Sequence, residues 1–182
     1  MILPEISFGF CALVLILAWY RVELCLCFLI CILFHEMGHL VMLRLKHVPI
    51  LGVRLQLNGA VIKAGEMGYP TERSCALAGP VVSWGLGAVL LRIWPMCGLI
   101  SLLLGTINLL PMLPLDGGRI LRATLSLHLD CKQVDLVMRV CAFVIAGMLM
   151  LSACWTAVWL QAGVWPIFAA LVLLWRSGET EK

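Results

Sequence analysis

From Val22 to Leu43 the chain runs 22 residues interrupted only by Glu23, His35, Glu36, Gly38 and His39. A helix of about 20 apolar residues is what a bilayer core requires of each crossing. This is not an isolated run. Hydrophobic residues make up 63% of the 182 and charged residues 13%, against roughly 45–50% and 25% in a soluble domain. A water-soluble globule of this size has too little interior to hide that surface. The composition therefore excludes a free cytosolic enzyme, a disordered chain and a secreted disulfide scaffold. The net charge of +3 includes no basic cluster dense enough to track a phosphate backbone, so nucleic acid is not an expected partner. The expectation is an integral membrane protein.

Apolar runs over 6–20, 22–43, 75–91 and 94–115, and a stretch from Val140 to Trp175 turning at Gln161, Ala162 and Gly163, predict about six transmembrane helices in an all-α polytopic fold. The first run lacks the basic start and cleavage site of a signal peptide. With the N-terminus in the cytoplasm, 11 of the 13 basic residues lie on the cytoplasmic side, all but Arg21 and Arg92. The positive-inside rule favours that orientation, with both termini cytoplasmic. One membrane domain over 1–176 is expected, with a short cytoplasmic tail at 177–182 and no PDZ or CBS domain.

The polar interval 44–74 contains its own pattern. Val53, Leu55 and Leu57 alternate with Arg54 and Gln56, and Asn58-Gly59 and Val61-Ile62 follow. Alternation around Asn-Gly predicts a small β-hairpin at the membrane face. The nine cysteines include no Cys-x-x-Cys pair, and most sit in apolar runs. They read as reduced packing residues. A metal site at Cys27 and Cys31 has no His or carboxylate on that turn.

Of the ten acidic residues, Glu36 alone lies well inside an apolar run. Such a side chain is a functional hypothesis by default. It belongs to His35-Glu36-Met37-Gly38-His39. Two histidines four apart leave one helix face about 40° from each other. Both imidazoles can then ligate one Zn²⁺, with Glu36 placed as a general base. A catalytic zinc takes a third protein ligand. His47 and His128 fall in polar intervals, whereas Asp116 follows the cytoplasmic end of its run. Pro111 and Pro114 break the helix there and turn the chain inward. His39 is about 6 Å and His35 about 12 Å from the helix end at 1.5 Å per residue, a depth Asp116 can meet.

His35–His39, Ala78-Gly79-Pro80, and the run from Asn108 through Pro111, Pro114 and Asp116-Gly117-Gly118-Arg119 resemble the site-2 protease family of intramembrane zinc metalloproteases. The likeness holds in order, spacing and helix placement from Phe34 to Arg119. Within the family, the early first motif and the hairpin are most similar to the stage IV sporulation protein FB type of endospore-forming bacteria. The resemblance implies one zinc per chain held by His35, His39 and Asp116. It implies Glu36 as base toward water and then acid toward the leaving amine. The implied substrate is a membrane-bound regulatory protein, such as a sigma-factor precursor, and the implied location is a bacterial cytoplasmic membrane. An inhibitory membrane protein is a conceivable partner. Asn108, two helix turns before Asp116, either steadies the substrate or oxyanion or makes an interhelical hydrogen bond. Gly79, Ser83 and Gly87, like Gly98, Ser101 and Gly105, read as close-packing faces.

Two other classes compete with the protease. A silent zinc-binding scaffold that sequesters a regulator has no need of Glu36. A metal transporter would spread polar groups through the membrane depth, whereas here they cluster toward one face. The hairpin offers a strand edge to an unwound substrate by β-augmentation. Proline at Leu55 or Leu57 is then expected to lower cleavage with zinc retained.

Overall fold

The computed structural model describes residues 5–6, 14, 19, 21–56 and 59–159. Most of the first apolar run and the expected turn at Gln161-Ala162-Gly163 lie outside the described residues. The elements in order are β1 (Glu5–Ile6), α1 (Val22–Leu45), β2 (Ile50–Gln56), β3 (Gly59–Ala64), α2 (Tyr69–Ile93), α3 (Pro95–Asn108), α4 (Asp116–Leu125) and α5 (Cys131–Trp159). Among them α1, α2 and residues 131–155 of α5 are long and apolar enough to cross a membrane. Phe143 is 81% exposed and Leu151 74%. Such bare side chains on apolar helices face lipid rather than water. The chain divides into two compact units, Met1–Asn108 and Leu109–Lys182.

In the first unit, α1, α2 and α3 pack on one another. Small residues set the spacing. A methyl on Gly38 would stand 2.7 Å from the Ala78 carbonyl oxygen, and one on Gly105 would stand 3.0 Å from Ser83 Cβ. Backbones that close need glycine at the crossing. Cys27, Cys31 and Cys97 fill the space between α1 and α3, with Leu90, Ile100 and Leu104 against them. Cys31 Sγ lies 3.7 Å from Cys97 Sγ and 3.5 Å from its carbonyl oxygen. These thiols are free and buried, and they act as compact apolar fillers.

α2 begins at Tyr69, earlier than the apolar run at Cys75 suggests. Pro70 sits in its first turn and Glu72 follows. Proline is pre-set for that position and an acid suits the positive helix end, so the polar lead-in is helical. α3 ends at Asn108 after 14 residues. That is shorter than the expected crossing over 94–115, because Pro111 and Pro114 deny the helix its continuation.

The hairpin forms with β2 and β3 antiparallel, Gln56 paired with Gly59 and Arg54 with Val61. Gly59 is thus the first residue of β3 rather than the second of the turn, and Asn58 lies outside the described residues. A register shift between Ile50 and Gly52 marks a bulge. β1 adds to β2 in parallel, Glu5 beside Arg54, giving the order β1-β2-β3. Leu55 is therefore on the central strand, and the two edges among the described residues belong to β1 and β3. Proline at Leu55 would break the sheet itself, so it cannot test the edge. The hairpin base closes through Gly65 N–H donating to the Pro49 carbonyl at 2.8 Å.

In the second unit α4 packs on α5. α5 starts at Cys131, nine residues ahead of the expected crossing at Val140, so Lys132, Gln133, Asp135 and Arg139 are helical. They project from the end of a helix whose 29 residues, at 1.5 Å each, exceed the roughly 30 Å of a bilayer core.

The end of α1 is a tight reversal. Val48 N–H reaches back to the Leu43 carbonyl at 2.9 Å and His47 N–H to Arg44 at 3.0 Å. His47 stands at φ 54°, the left-handed position that glycine usually takes in this motif. Removing its Cβ relieves strain, so His47→Gly is expected to stabilise the protein by about 0.5–1 kcal/mol. Thermal unfolding in detergent measures this, and an unchanged or lower midpoint contradicts it.

Candidate metal centre

His35 and His39 leave α1 one turn apart and are 4% and 7% exposed. Their rings meet edge to face, with centroids 4.9 Å apart and planes at 77°. The two Nε2 atoms are 3.2 Å apart. Each Nδ1 is held by α2. His39 Nδ1 donates to the Cys75 carbonyl at 2.8 Å, and His35 Nδ1 pairs with Ser83 Oγ at 2.8 Å. A carbonyl only accepts, so His39 carries its hydrogen on Nδ1, and the neutral ring keeps a lone pair on Nε2. A backbone carbonyl that fixes the tautomer this way is the usual outer partner of a metal-ligating histidine.

The cradle for the pair is Gly79, one turn from Cys75 and one from Ser83. A Cβ there would overlap His39 Nε2 and stand 2.8 Å from His35 Nε2. Only glycine leaves room for two imidazoles whose nitrogens converge. Glu36 follows His35 about 100° around the helix and is half-buried.

Asp116 opens α4 and is 8% exposed, after Leu115 in an extended conformation (φ −72°, ψ 159°). A carboxylate at that position meets the positive end of the helix dipole. Arg119 Nη1 lies 3.9 Å from Asp116 Oδ1. A side chain on Gly117 would overlap the Leu109 carbonyl, and one on Gly118 would run into the Met112 backbone. The irregular stretch 109–115 therefore lies directly on the first turn of α4, with Met112 sealed beneath at 1% exposure. The glycine pair is what fixes where Asp116 begins its helix.

His35 and His39 of the first unit offer two imidazole nitrogens, and Asp116 of the second unit offers a carboxylate oxygen. Two imidazole nitrogens and one carboxylate oxygen suit zinc and leave a coordination position open. The donors fit the ion on this chemistry, on the tethered Nδ1 atoms and on the glycine cradle.

Asn108 is not on one helix with Asp116. It is the last residue of α3, with seven residues before α4. Its Nδ2 donates to the Leu104 carbonyl within α3 at 3.0 Å, not to another helix. Sequence reasoning missed the two Nδ1 partners. A backbone acceptor such as Cys75 has no residue signature. Ser83 was visible as one of three small residues at four-residue spacing, but only as packing.

Gly79→Ala forces the imidazoles apart. Zinc affinity measured by competition with a chelator should fall about tenfold or more, the scale of losses from disturbed outer-shell support. Wild-type affinity would mean that the cradle is not tight.

Residues 76–151 match the sequence model of the family described as Peptidase family M50. A zinc metalloprotease of Methanocaldococcus jannaschii is 35% identical over 108 residues, which is 52% of this chain and 32% of that protein. Rip3 of Mycobacterium tuberculosis is 33% identical over 112 residues, 52% of this chain and 28% of Rip3. The chain thus spans about a third of the length of these relatives. A solved structure, the site-2 protease from Methanocaldococcus jannaschii, superposes with a TM-score of 0.74 over 97% of this chain and 89% of that one, at 22% identity. The fold is that of a site-2 protease, and the Peptidase M50 match covers the stretch that holds both Gly79 and Asp116.

Proposed function

We propose that this chain is an intramembrane zinc metalloprotease of the Peptidase M50, site-2 protease type, hydrolysing a peptide bond of a membrane-associated regulatory protein. The observation that carries the reading is the histidine pair. Two buried imidazoles with tied Nδ1 atoms and converging Nε2 atoms beside a glutamate are built for a metal and a base, and packing alone does not call for them.

In this reading His35, His39 and Asp116 hold the ion. Zinc, when bound, supplies a Lewis acid for the scissile carbonyl and lowers the pKa of water. Glu36 takes the proton of the attacking water and gives it to the leaving amine as the C–N bond breaks. Asn108, at the end of α3, orients the substrate backbone. The outer edge of β3 receives the substrate as an extended strand, since peptide bonds in a helix are shielded.

The finer features belong to the same proposal. About six crossings, with the catalytic face and both termini in the cytoplasm, are supported by the distribution of basic residues. A sigma-factor precursor in sporulation is the substrate that the hairpin favours, and an inhibitory membrane protein is the means of holding the enzyme shut.

Metal analysis of the detergent-purified chain is expected to give about one zinc in the wild type and in Glu36→Gln, and far less in Asp116→Ala. Glu36→Gln should lower cleavage of a co-expressed membrane-bound precursor by about 10²-fold or more, the usual worth of a general base. Undiminished cleavage by that variant would sink the mechanism. Zinc binding with no cleavage by the wild type would favour the sequestering scaffold.

A further inference from the structure

α2 is interrupted between the two residues that hold the imidazoles. Cys75, whose carbonyl accepts from His39 Nδ1, lies before Pro80, and Ser83, whose hydroxyl pairs with His35 Nδ1, lies after it. A proline inside a helix removes the hydrogen bond to the carbonyl four residues back and crowds that carbonyl, which here belongs to Ala76. The helix ladder is therefore weakest on the stretch that sets the distance between the two anchors, and α2 alone does not fix where Ser83 stands.

α3 supplies the missing tie. Ser101 Oγ donates to the Ser83 carbonyl at 2.8 Å. The helix pattern already gives that carbonyl the Gly87 N–H, so Ser101 takes its second lone pair. Ser83 is thus held at both ends, its side chain by α1 and its main chain by α3. Both serines are 0% exposed, so water does not stand in for either hydroxyl. Glycines bring α3 near enough for this bond. A methyl on Gly105 would stand 3.0 Å from Ser83 Cβ and 3.1 Å from the Pro80 carbonyl oxygen, and one on Gly87 would stand 3.1 Å from the Gly98 carbonyl oxygen.

We propose that Ser101 is a positioning residue for His35, acting through Ser83. Its hydroxyl fixes the part of α2 beyond Pro80, so that the Ser83 hydroxyl meets His35 Nδ1 and keeps the opposite nitrogen turned toward the metal. The small-residue spacing of Gly98, Ser101 and Gly105 then has two uses. The glycines let the helices approach, and the serine sets the metal ligand. This rests on the metal-binding part of the proposed function and not on proteolysis.

The test is a double-mutant cycle on the full chain in micelles, read as zinc affinity by competition with a chelator. Ser101→Ala should weaken zinc binding about tenfold, the lower end of the losses from disturbed outer-shell support, and Ser83→Ala at least as much. Ser83→Ala keeps the carbonyl that Ser101 grips but leaves no hydroxyl to position. Adding Ser101→Ala to it should therefore cost about twofold or less, well short of the additive result expected of independent sites. Ser101→Cys, close in size and with a weaker donor, should fall between the wild type and Ser101→Ala, and it carries the same cycle if the alanine variant does not fold. Wild-type zinc affinity in Ser101→Ala, or a full further loss on top of Ser83→Ala, would overturn the proposal and leave the metal site standing. A wild type that binds no zinc would instead remove the metal reading, and this inference with it.

Discussion

Two imidazoles buried among apolar helices need partners for their outer nitrogens, and α2 supplies both. Much of the first unit follows from that requirement. Cys75 and Ser83 stand eight residues apart on α2, matching two histidines four apart on α1 only because the rings turn toward each other. Their approach requires a helix surface with no side chain between them, which is Gly79. The closeness of α1 to α2 in turn requires Gly38 beneath the Ala78 carbonyl. Unpaired, each ring nitrogen would cost several kcal/mol in a lipid surrounding, so the polar contacts and the close packing are parts of one solution.

The second unit solves a related problem with backbone. A carboxylate at a helix start is favourable but not by itself oriented. Here the two residues after Asp116 are glycines, and the preceding loop lies on them. Met112 N–H bonds to the Leu110 carbonyl and Leu115 N–H to Met112, so the loop is held by its own turns. The prolines that end α3 and the glycines that admit the loop are opposite devices acting on one ten-residue stretch.

Much of this was legible in the sequence. The long apolar runs announced membrane helices, His-Glu-x-x-His placed two imidazoles on one face, and Pro111 and Pro114 marked a break after α3, though not its end at Asn108. The hairpin showed in the alternation of Val53 and Leu55. What did not show was of three kinds. The start of α5 was hidden because hydropathy reports where lipid begins, not where the helix does. The pairing of β1 with β2 was hidden because two residues carry no period. The roles of Cys75 and Ser83 were hidden because spacing tells which face a residue shares but not which of its atoms is used. The donor triad was readable from residue types; the contacts that orient it were not.

Among the described residues, the buried positions of α1, α2 and α3 are mostly small, Cys25, Cys27, Cys31, Gly38, Cys75, Ala76, Gly79, Ser83, Gly87, Cys97, Gly98, Ser101 and Gly105, with Leu43, Pro80 and the two histidines the larger ones. Soluble cores are rich in leucine and isoleucine, and truncation is what harms them, through cavities. Here there is little left to truncate. The tolerance of this protein to mutation is therefore inverted. Its inward positions resist growth rather than shrinkage, and its outward ones, in lipid, accept almost any apolar side chain. Variation among natural versions of such a chain should accumulate as changes of shape outside and almost none of volume inside.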